Sequence, residues 1–221
     1  MSALIPFHHP TTILVAGPTL SGKTTFVKKL IRTRMVQPAP ERIIWIYKEK
    51  DEKTEFGNIM QEFPNIKFYS DLDPEIFESI NSQERNLIIL DDVMSEAGDS
   101  KSVAKLFTQG SHHRNMTVVF LVQNLFHQAK QMRTISLNTH YMVLYKNPRD
   151  QGQIRSLSYQ IFPNEKNFLA DAFADATSAP HSYLLVDLHT ETPEHFRVRT
   201  KIFPGETTIF YVPKEYKNEL D

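Results

Sequence analysis

The sequence contains no cysteine among its 221 residues. Disulfide bonds and zinc sites with thiolate ligands are therefore excluded, and the redox compartment of the protein is not revealed. Histidine could still bind a metal ion, but His112 and His113 are adjacent, a spacing that suits a single ion poorly. We therefore expect no structural metal site.

The sequence also lacks an excess of charge of either sign. It has 25 basic and 26 acidic side chains, and its formal net charge is −1 at pH 7. This balance argues against a globally basic nucleic-acid-binding protein. It leaves room for a local basic surface, or for a pore that forms only on assembly.

The sequence also shows no pattern typical of a membrane-spanning segment or of a secretory signal. No apolar run approaches the roughly 20 residues that a helix needs to cross a bilayer. The N-terminal stretch MSALIPFHHPTT has neither the charged start nor the long apolar core of a signal peptide. We therefore expect a soluble, intracellular protein with no membrane partner.

The length and the composition favour one domain. Apolar residues make up 40% of the chain, enough for a substantial core, but 221 residues are too few for two comfortable α/β domains. We predict a single domain over residues 1–221, with a core at about 11–163 and a strand-rich C-terminal extension at about 180–215.

The stretch VAGPTLSGKTTF contains the phosphate-binding pattern G-x-x-x-x-G-K-[ST], with Gly17, Gly22, Lys23 and Thr24 in its fixed places. The two glycines let the backbone turn and approach a polyanion where a Cβ would obstruct it. Backbone amides at the start of the following helix point at the phosphates. Lys23 supplies positive charge to the β- and γ-phosphates, and the hydroxyl of Thr24 can bind Mg²⁺.

The context of this pattern supports a nucleotide site rather than a chance glycine loop. TTILVAG before it is a β-rich run, and the apolar residues of KTTFVKKLIRTRM after it recur at helical spacing. The chemistry requires such a strand–loop–helix arrangement. The predicted phosphate-binding residues are Gly17, Thr19, Ser21, Gly22, Lys23, Thr24 and Thr25.

Strand and helix patterns alternate along most of the chain. This order predicts an α/β fold with a mainly parallel sheet and helices on both faces. The last three strand patterns, HSYLLVDL, HFRVRTKIF and TTIFYV, have no helix pattern between them, so we expect an antiparallel edge. The charged stretch KEKDEKTEFGN is interpreted as a solvated loop. The stretch DPEIFESINS is predicted to form a helix, with Asp73 as its cap and Pro74 at its first position.

Two aspartates follow the apolar run of NLIILDD. Ligands of open α/β sheets bind at the carboxyl ends of the strands. Asp91 there is suited to hold the hydration shell of Mg²⁺ opposite Thr24, and Asp92 could orient and deprotonate the attacking water. An acidic pair can also serve only as a helix cap.

Another strand pattern, VVFLVQN, ends in the polar residues Gln123 and Asn124. If this strand lies between the P-loop strand and the Asp91 strand, Gln123 would reach the γ-phosphate or the attacking water. A polar end of a buried strand is also common without such a role. Arg114 precedes the strand and could face the nucleotide of a neighbouring subunit, with a surface or loop-packing role equally open. Arg133 and Arg155 are the reserve candidates for that function.

Taken together, the segments AGPTLSGKTTF, NLIILDD, GSHHRNMTVVFLVQNLF, ISLNTHYMVLYKNPRDQGQI and SYQIFP resemble the genome-packaging ATPases of the FtsK–HerA superfamily. The likeness is to the poxvirus-type packaging ATPases of polinton-like and adintovirus-like DNA viruses. It covers about residues 13–163. The P-loop alone is unspecific, and the order of the later segments is far more specific.

The resemblance implies a RecA-like ASCE P-loop fold with an extra strand between the P-loop strand and the Asp91 strand. It also implies ATP and Mg²⁺ as ligands, a pentameric or hexameric ring of identical subunits, and translocation of double-stranded DNA into a preformed capsid. Capsid vertex proteins are the implied partners. The implied location is an infected host cell, in its nucleus or cytoplasm, or the packaging vertex of the virion.

Site residues carry over by position. Lys23 and Thr24 match the Walker A pair, and Asp91 matches the metal-binding aspartate of Walker B. Asp92 stands where many members have glutamate, which is a departure from the family pattern. Gln123 matches the sensor glutamine, and Arg114 matches the arginine-finger region.

Three other functions fit parts of the sequence. A small-molecule P-loop kinase should carry an arginine-rich lid, but Arg133, Arg149 and Arg155 are spread apart. A nucleotide-dependent assembly protein would change shape without moving DNA. A cellular HerA-like translocase is the third alternative. Stimulation of ATP hydrolysis by DNA separates a DNA motor from the first two.

Overall fold

The computed structural model describes residues 4–47, 53–93, 101, 103–110, 115–125, 130–149 and 152–214. Its strands, numbered in chain order, are β1 (Phe7–His8), β2 (Thr12–Ala16), β3 (Val36–Gln37), β4 (Arg42–Tyr47), β5 (Lys67–Tyr69), β6 (Asn86–Asp91), β7 (Met116–Val122), β8 (Tyr141–Tyr145), β9 (Tyr183–Asp187), β10 (Val198–Thr200) and β11 (Ile209–Tyr211). Its helices are α1 (Lys23–Arg32), α2 (Lys53–Glu62), α3 (Pro74–Glu78), a π-helical turn (Leu106–Gly110), α4 (Lys130–Leu137), α5 (Gly152–Ile161), α6 (Phe168–Ala176) and α7 (Glu194–Arg197).

Nine of these strands form one sheet, in the order β11-β10-β9-β8-β2-β7-β6-β4-β5. Six neighbouring strands of this sheet run parallel to one another: β8, β2, β7, β6, β4 and β5. The other three strands, β9, β10 and β11, add an antiparallel edge. Both features were predicted from the sequence. β1 and β3 form a separate parallel pair.

The sheet carries a hydrophobic core on each face, because the central strands are buried on both sides. On one face, Phe26, Val27 and Leu30 of α1 pack on the sheet. On the other face, Leu157 of α5 and Leu169 of α6 do the same. The predicted layers, with helices on both faces of the sheet, are therefore confirmed.

The position of β7 has the greatest consequence for function. β7 pairs with the P-loop strand β2 on one side and with β6 on the other. The extra strand that the family resemblance implied is therefore present. Because all three strands are parallel, their carboxyl ends meet at one edge of the sheet.

Two local predictions had different outcomes. Helix α3 begins as expected, with Pro74 in its first turn and with the carboxylate of Asp73 accepting a hydrogen bond from the backbone N–H of Glu75. The solvated loop expected in KEKDEKTEFGN is wrong for its second half, because α2 begins at Lys53. Ile59 of α2 is buried, so packing of one apolar residue against the core outweighs the charged composition.

The antiparallel edge is held by a buried ion pair. Arg199 of β10 donates a hydrogen bond to Asp187 of β9 over 3.1 Å, and the two side chains are only 1% and 3% exposed. Asp187 also accepts hydrogen bonds from the N–H of His189 and the hydroxyl of Thr192. Such a pair is costly to break, since removal of one partner leaves a buried charge uncompensated.

None of the helices in the described part of the chain combines the length and the apolar character that a membrane crossing requires.

Candidate nucleotide-binding site

The loop between β2 and α1 has the geometry of a phosphate cradle. A Cβ added to Gly17 would lie 2.5 Å from the Cβ of Tyr145 and 2.8 Å from the Oγ of Ser21. Gly22 has a φ of +108°, in the left-handed region that residues other than glycine rarely adopt. Both glycines are therefore required by the shape of the loop, for different physical reasons.

Lys23 lies at the first position of α1 and folds back over the loop. Its Nζ donates hydrogen bonds to the carbonyl oxygens of Gly17, at 2.7 Å, and Pro18, at 3.0 Å. Burial lowers the pKa of the Lys23 ammonium, and the carboxylates of Asp91 and Asp92 act in the opposite direction. The loop thus holds a partly buried positive charge that faces two negative ones.

Ser21 provides an independent indication that the loop fits an anion. Its Oγ is buried and has no hydrogen-bond partner among the described residues. Buried hydroxyls rarely remain without a partner, and a phosphate oxygen is an acceptor that would satisfy this one. The loop, the start of α1 and this hydroxyl therefore fit the phosphates of a nucleotide.

The acidic pair lies directly beside the loop. Asp91 ends β6 and is in register with Leu121 of β7 and with Tyr47 of β4. Asp92 follows with a φ of +52°, and the Nε2 of Gln123 donates a hydrogen bond to its Oδ2 over 2.9 Å. The structure therefore brings Gln123 to Asp92 at the edge where β2 opens into the P-loop.

These groups line one cavity of about 670 Å³. Thr19, Thr24 and Thr25 of the loop and the first turn of α1 also line it. On one side lies the acidic flank, which we define as Tyr47, Asp91, Asp92 and Gln123.

The opposite side, which we call the C-terminal flank, consists of His181, Tyr183, Phe203 and Glu206. β9 runs antiparallel to β8, and Tyr183 at its start pairs with Tyr145 at the end of β8. The C-terminal segment therefore returns to the same edge of the sheet as the P-loop. Burial raises the pKa of both tyrosines far above the ordinary value, so their hydroxyls remain protonated. The hydroxyl of Tyr183 accepts a hydrogen bond from the backbone N–H of Ile202 over 3.3 Å. That of Tyr145 donates to the carbonyl oxygen of Gly22 over 3.3 Å.

His181 connects this flank directly to the loop. Its Nδ1 lies 3.3 Å from the carbonyl oxygen of Ser21, within hydrogen-bonding distance. Its backbone has a φ of +59°, an uncommon conformation for a residue other than glycine. A Cβ on Gly22 would stand 3.5 Å from that of His181, so the two segments are in close contact.

The sequence predicted the loop and three residues of the acidic flank, Asp91, Asp92 and Gln123. Tyr47 was missed, and so was the whole C-terminal flank, since no motif was found beyond about residue 180. One weak signal was present. Pro204 and Gly205 form a dipeptide that marks a turn between two strand patterns, and Glu206 follows it.

Several candidates do not reach the cavity or cannot be placed. Arg133 of α4 and Arg155 of α5 are exposed and are not among the residues lining it. Arg114, His112 and His113 lie outside the described residues. Within the described ranges, no cluster of three or more histidine or acidic residues could hold a metal ion. The pair Thr24 and Asp91 still offers the oxygen ligands that Mg²⁺ prefers.

Comparison with curated proteins finds two viral relatives, whereas no family model matches the chain. The chain is 25% identical to uncharacterized protein L666 of Acanthamoeba polyphaga mimivirus, over 51% of this chain and 49% of that protein. It is 24% identical to packaging protein 1 of Snake adenovirus serotype 1, over 44% of this chain and 29% of that protein. The chain thus spans half or less of the length of these relatives.

Comparison with solved structures finds the same architecture in viral packaging enzymes. The genome packaging NTPase B204 from Sulfolobus turreted icosahedral virus 2, solved with AMP, has a TM-score of 0.53 at 11% identity, covering 92% of this chain and 98% of that one. B204, the DNA-packaging ATPase from Sulfolobus turreted icosahedral virus, has a TM-score of 0.53 at 12% identity, covering 95% and 99%. At this level of identity the likeness establishes the fold, and the fold of this chain is that of a RecA-like P-loop protein with an antiparallel C-terminal edge.

Proposed function

We propose that this protein is an ATPase that drives double-stranded DNA into a viral capsid, as a member of the FtsK–HerA superfamily. The proposal of ATP hydrolysis rests on the hydrogen bond from Gln123 to Asp92. Both residues line the same cavity as Lys23 and the P-loop. This arrangement combines a polyphosphate cradle with a carboxylate and an amide. It is what hydrolysis of a phosphoanhydride requires of a protein.

Each residue has a separate task in this proposal. Lys23 and the loop amides bind the β- and γ-phosphates, and Thr24 and Asp91 would hold Mg²⁺. When bound, Mg²⁺ neutralises charge on the phosphate oxygens. Asp92 accepts a proton from the attacking water as general base. Gln123 holds the Asp92 carboxylate through its Nε2, and its carbonyl oxygen can accept a hydrogen bond from the same water.

ATP is the nucleotide that the comparisons favour. B204 has been solved in complex with ATP-gammaS and with AMPPCP, and its fold is shared with this chain. Two features of the loop support binding of a polyphosphate here. Its shape requires glycine at positions 17 and 22, and the buried hydroxyl of Ser21 has no hydrogen-bond partner among the described residues. Hydrolysis at this site would then supply the free energy for movement.

DNA is the proposed substrate of that movement. A net charge of −1 provides little attraction for a duplex, so a single subunit should bind DNA weakly. A ring of five or six copies would place local positive surfaces around a central duplex, and DNA binding should then fall steeply with salt. Capsid vertex proteins in an infected host cell are the proposed partners.

A neighbouring subunit would complete the active site of such a ring. An arginine finger supplied in trans adds about 10³- to 10⁵-fold to the rate of phosphoryl transfer. Arg114 is the proposed finger, because it immediately precedes the segment that leads into β7. Arg133 and Arg155 remain the reserve candidates.

The test is the ATPase rate with and without double-stranded DNA, measured beside the mass of the assembled protein. We expect ATP hydrolysis that double-stranded DNA accelerates, in an oligomer larger than a dimer, and none from the Lys23→Ala variant. A rate that DNA leaves unchanged would favour an assembly protein. Phosphorylation of a small molecule would favour a kinase.

A further inference from the structure

The acidic flank and the C-terminal flank lie on opposite sides of the phosphate cradle. Asp91, Asp92 and Gln123 close the side of β7 and β6, whereas Phe203 and Glu206 close the side of β8 and β9. In the proposed function, the terminal phosphate and its metal ion belong beside the acidic flank. The other end of the nucleotide must then leave the cradle toward the C-terminal flank, because the cavity extends there.

A tight turn forms the rim of that flank. The N–H of Glu206 donates to the carbonyl oxygen of Phe203 over 3.0 Å, which closes a four-residue turn with Pro204 and Gly205 at its centre. Gly205 has a φ of +86°, so this sequence has the preferences of a type II turn. The carboxylate of Glu206 accepts a hydrogen bond from the N–H of Phe203 over 3.1 Å. The position of Glu206 is thus defined by the turn itself.

Helix α1 fixes the same carboxylate from the other side. Lys29, in the second turn of α1, forms an ion pair with Glu206, and its Nζ lies 4.7 Å from the centre of the Phe203 ring. The side chains of Lys29 and Glu206 are 38% and 30% exposed and both line the cavity. A held carboxylate at the cavity wall that solvent can still reach is a ready acceptor for a neutral O–H or N–H donor.

We propose that Glu206 recognises the nucleoside end of the bound nucleotide by accepting a hydrogen bond from a ribose hydroxyl or a base amine. This inference rests on the proposed function, since it assumes that the phosphates lie in the P-loop. Phe203 and Lys29 are positioning residues, because they hold the carboxylate. Glu206 is a determinant of nucleotide specificity, and the C-terminal strands are part of the nucleotide site.

A binding experiment that does not depend on hydrolysis tests this role. Calorimetric titration in the presence of Mg²⁺ compares two probes, ADP and inorganic tripolyphosphate, of which only ADP has a nucleoside. The variants are Glu206→Ala and the conservative Glu206→Gln. The control is Glu62→Gln, since Glu62 also forms an ion pair with α1, through Lys28 at 2.9 Å, but is not among the residues that line the cavity.

We expect Glu206→Ala to weaken ADP binding about 10- to 100-fold, the scale of one hydrogen bond to a charged group. Glu206→Gln should cause a smaller loss, because its amide oxygen still accepts. Binding of tripolyphosphate should be unchanged or slightly tighter, and Glu62→Gln should bind both probes normally. Equal losses for both probes, or no loss for ADP in either Glu206 variant, would overturn the inference.

Two further ligands identify the donor. If the effect of Glu206→Ala disappears with 2′-deoxy-ADP, the donor is the ribose 2′-hydroxyl, and if it disappears with inosine diphosphate, the donor is the base amine. Should the unmodified protein bind neither ADP nor tripolyphosphate, the proposed function fails, and this inference fails with it. That result is distinguishable from the outcome in which the protein binds both probes and substitution of Glu206 has no effect on either affinity.

Discussion

Gln123 and Asp92 are joined across two neighbouring strands, with the Nε2 of Gln123 donating to the Oδ2 of Asp92 over 2.9 Å. Asp92 leaves β6 with a φ of +52°, a conformation that aspartate adopts more readily than most residues. The amide of Gln123 therefore holds a carboxylate whose backbone has already turned away from the strand. This contact links the ends of two strands at the site of proposed hydrolysis.

Replacement of Asp92 by asparagine should separate binding from hydrolysis. The amide cannot take a proton from water, so we expect hydrolysis to slow by about 10²-fold or more while Mg-ATP still binds. Single-turnover hydrolysis and a separate binding titration measure the two effects. Asp171→Asn, at an exposed position in the first turn of α6, is the matched control. If Asp92→Asn hydrolyses ATP at the normal rate, Asp92 is not the general base.

Removal of the Lys23 ammonium should abolish tight nucleotide binding. Lys23 is the only motif lysine in the P-loop, and a hydrogen bond to a charged group contributes up to about 3 kcal/mol, or roughly 10²-fold in affinity. The measurement is the dissociation constant of ADP for Lys23→Ala. Lys28→Ala is the control, because Lys28 lies on the same helix and is paired with Glu62. An unchanged affinity in Lys23→Ala would show that the loop is not the site.

Two Gly→Ala substitutions should have opposite effects on stability. A Cβ at Gly17 would meet the Cβ of Tyr145 at 2.5 Å, so Gly17→Ala should lower the free energy of unfolding by about 1–3 kcal/mol through overpacking. Gly57 lies within α2, and no atom of the described residues stands within 4 Å of its added Cβ. Gly57→Ala should therefore raise the free energy of unfolding by about 0.5–1 kcal/mol, because alanine is the better helix former.

Urea denaturation of both variants measures these changes. Gly17→Ala should also lose nucleotide affinity, since the loop must move to admit the methyl group, whereas Gly57→Ala should bind normally. A Gly17→Ala protein as stable as the unmodified one would contradict the close contact between the loop and Tyr145.

Mixed assemblies test whether Arg114 acts between subunits. Arg114→Ala should bind ATP nearly normally and hydrolyse it poorly, because the transition-state charge loses a positive partner. Lys23→Ala has a defective pocket but keeps the arginine. Mixing the two variants should restore part of the ATPase activity, where a Lys23→Ala subunit presents Arg114 to an intact neighbouring pocket.

Co-purification of differently tagged variants shows that mixed assemblies form. If they form and no activity returns, Arg114 does not act in trans, and Arg133 and Arg155 are to be exchanged in the same way.

The amino-acid sequence alone determined the features that depend on local spacing. The P-loop pattern, with its glycines and Lys23, is contiguous, so its strand–loop–helix context could be predicted from neighbouring residues. The placement of Asp91 at the end of β6 and the cap of α3 at Asp73 were predictable for the same reason. The three C-terminal strands were recognised by their β-rich composition, and their antiparallel pairing followed from the absence of long crossovers.

Local composition was misleading where a helix packs against the core. The charged residues before and within α2 favoured a loop, but Ile59 packs into the core and the helix forms there. Intrinsic propensity is a weak guide when tertiary packing determines the outcome.

Only the tertiary structure decided which distant segments share the site. The strand β7 lies between β2 and β6 through pairing that no local pattern specifies, and this pairing brings Gln123 to Asp92. In the same way, Glu206 reaches Lys29 across 177 positions of the chain, because antiparallel pairing returns the C-terminal segment to the carboxyl edge of β8. Long-range strand pairing is set by the packing of the whole sheet, so the C-terminal wall of the cavity could not be read from sequence spacing.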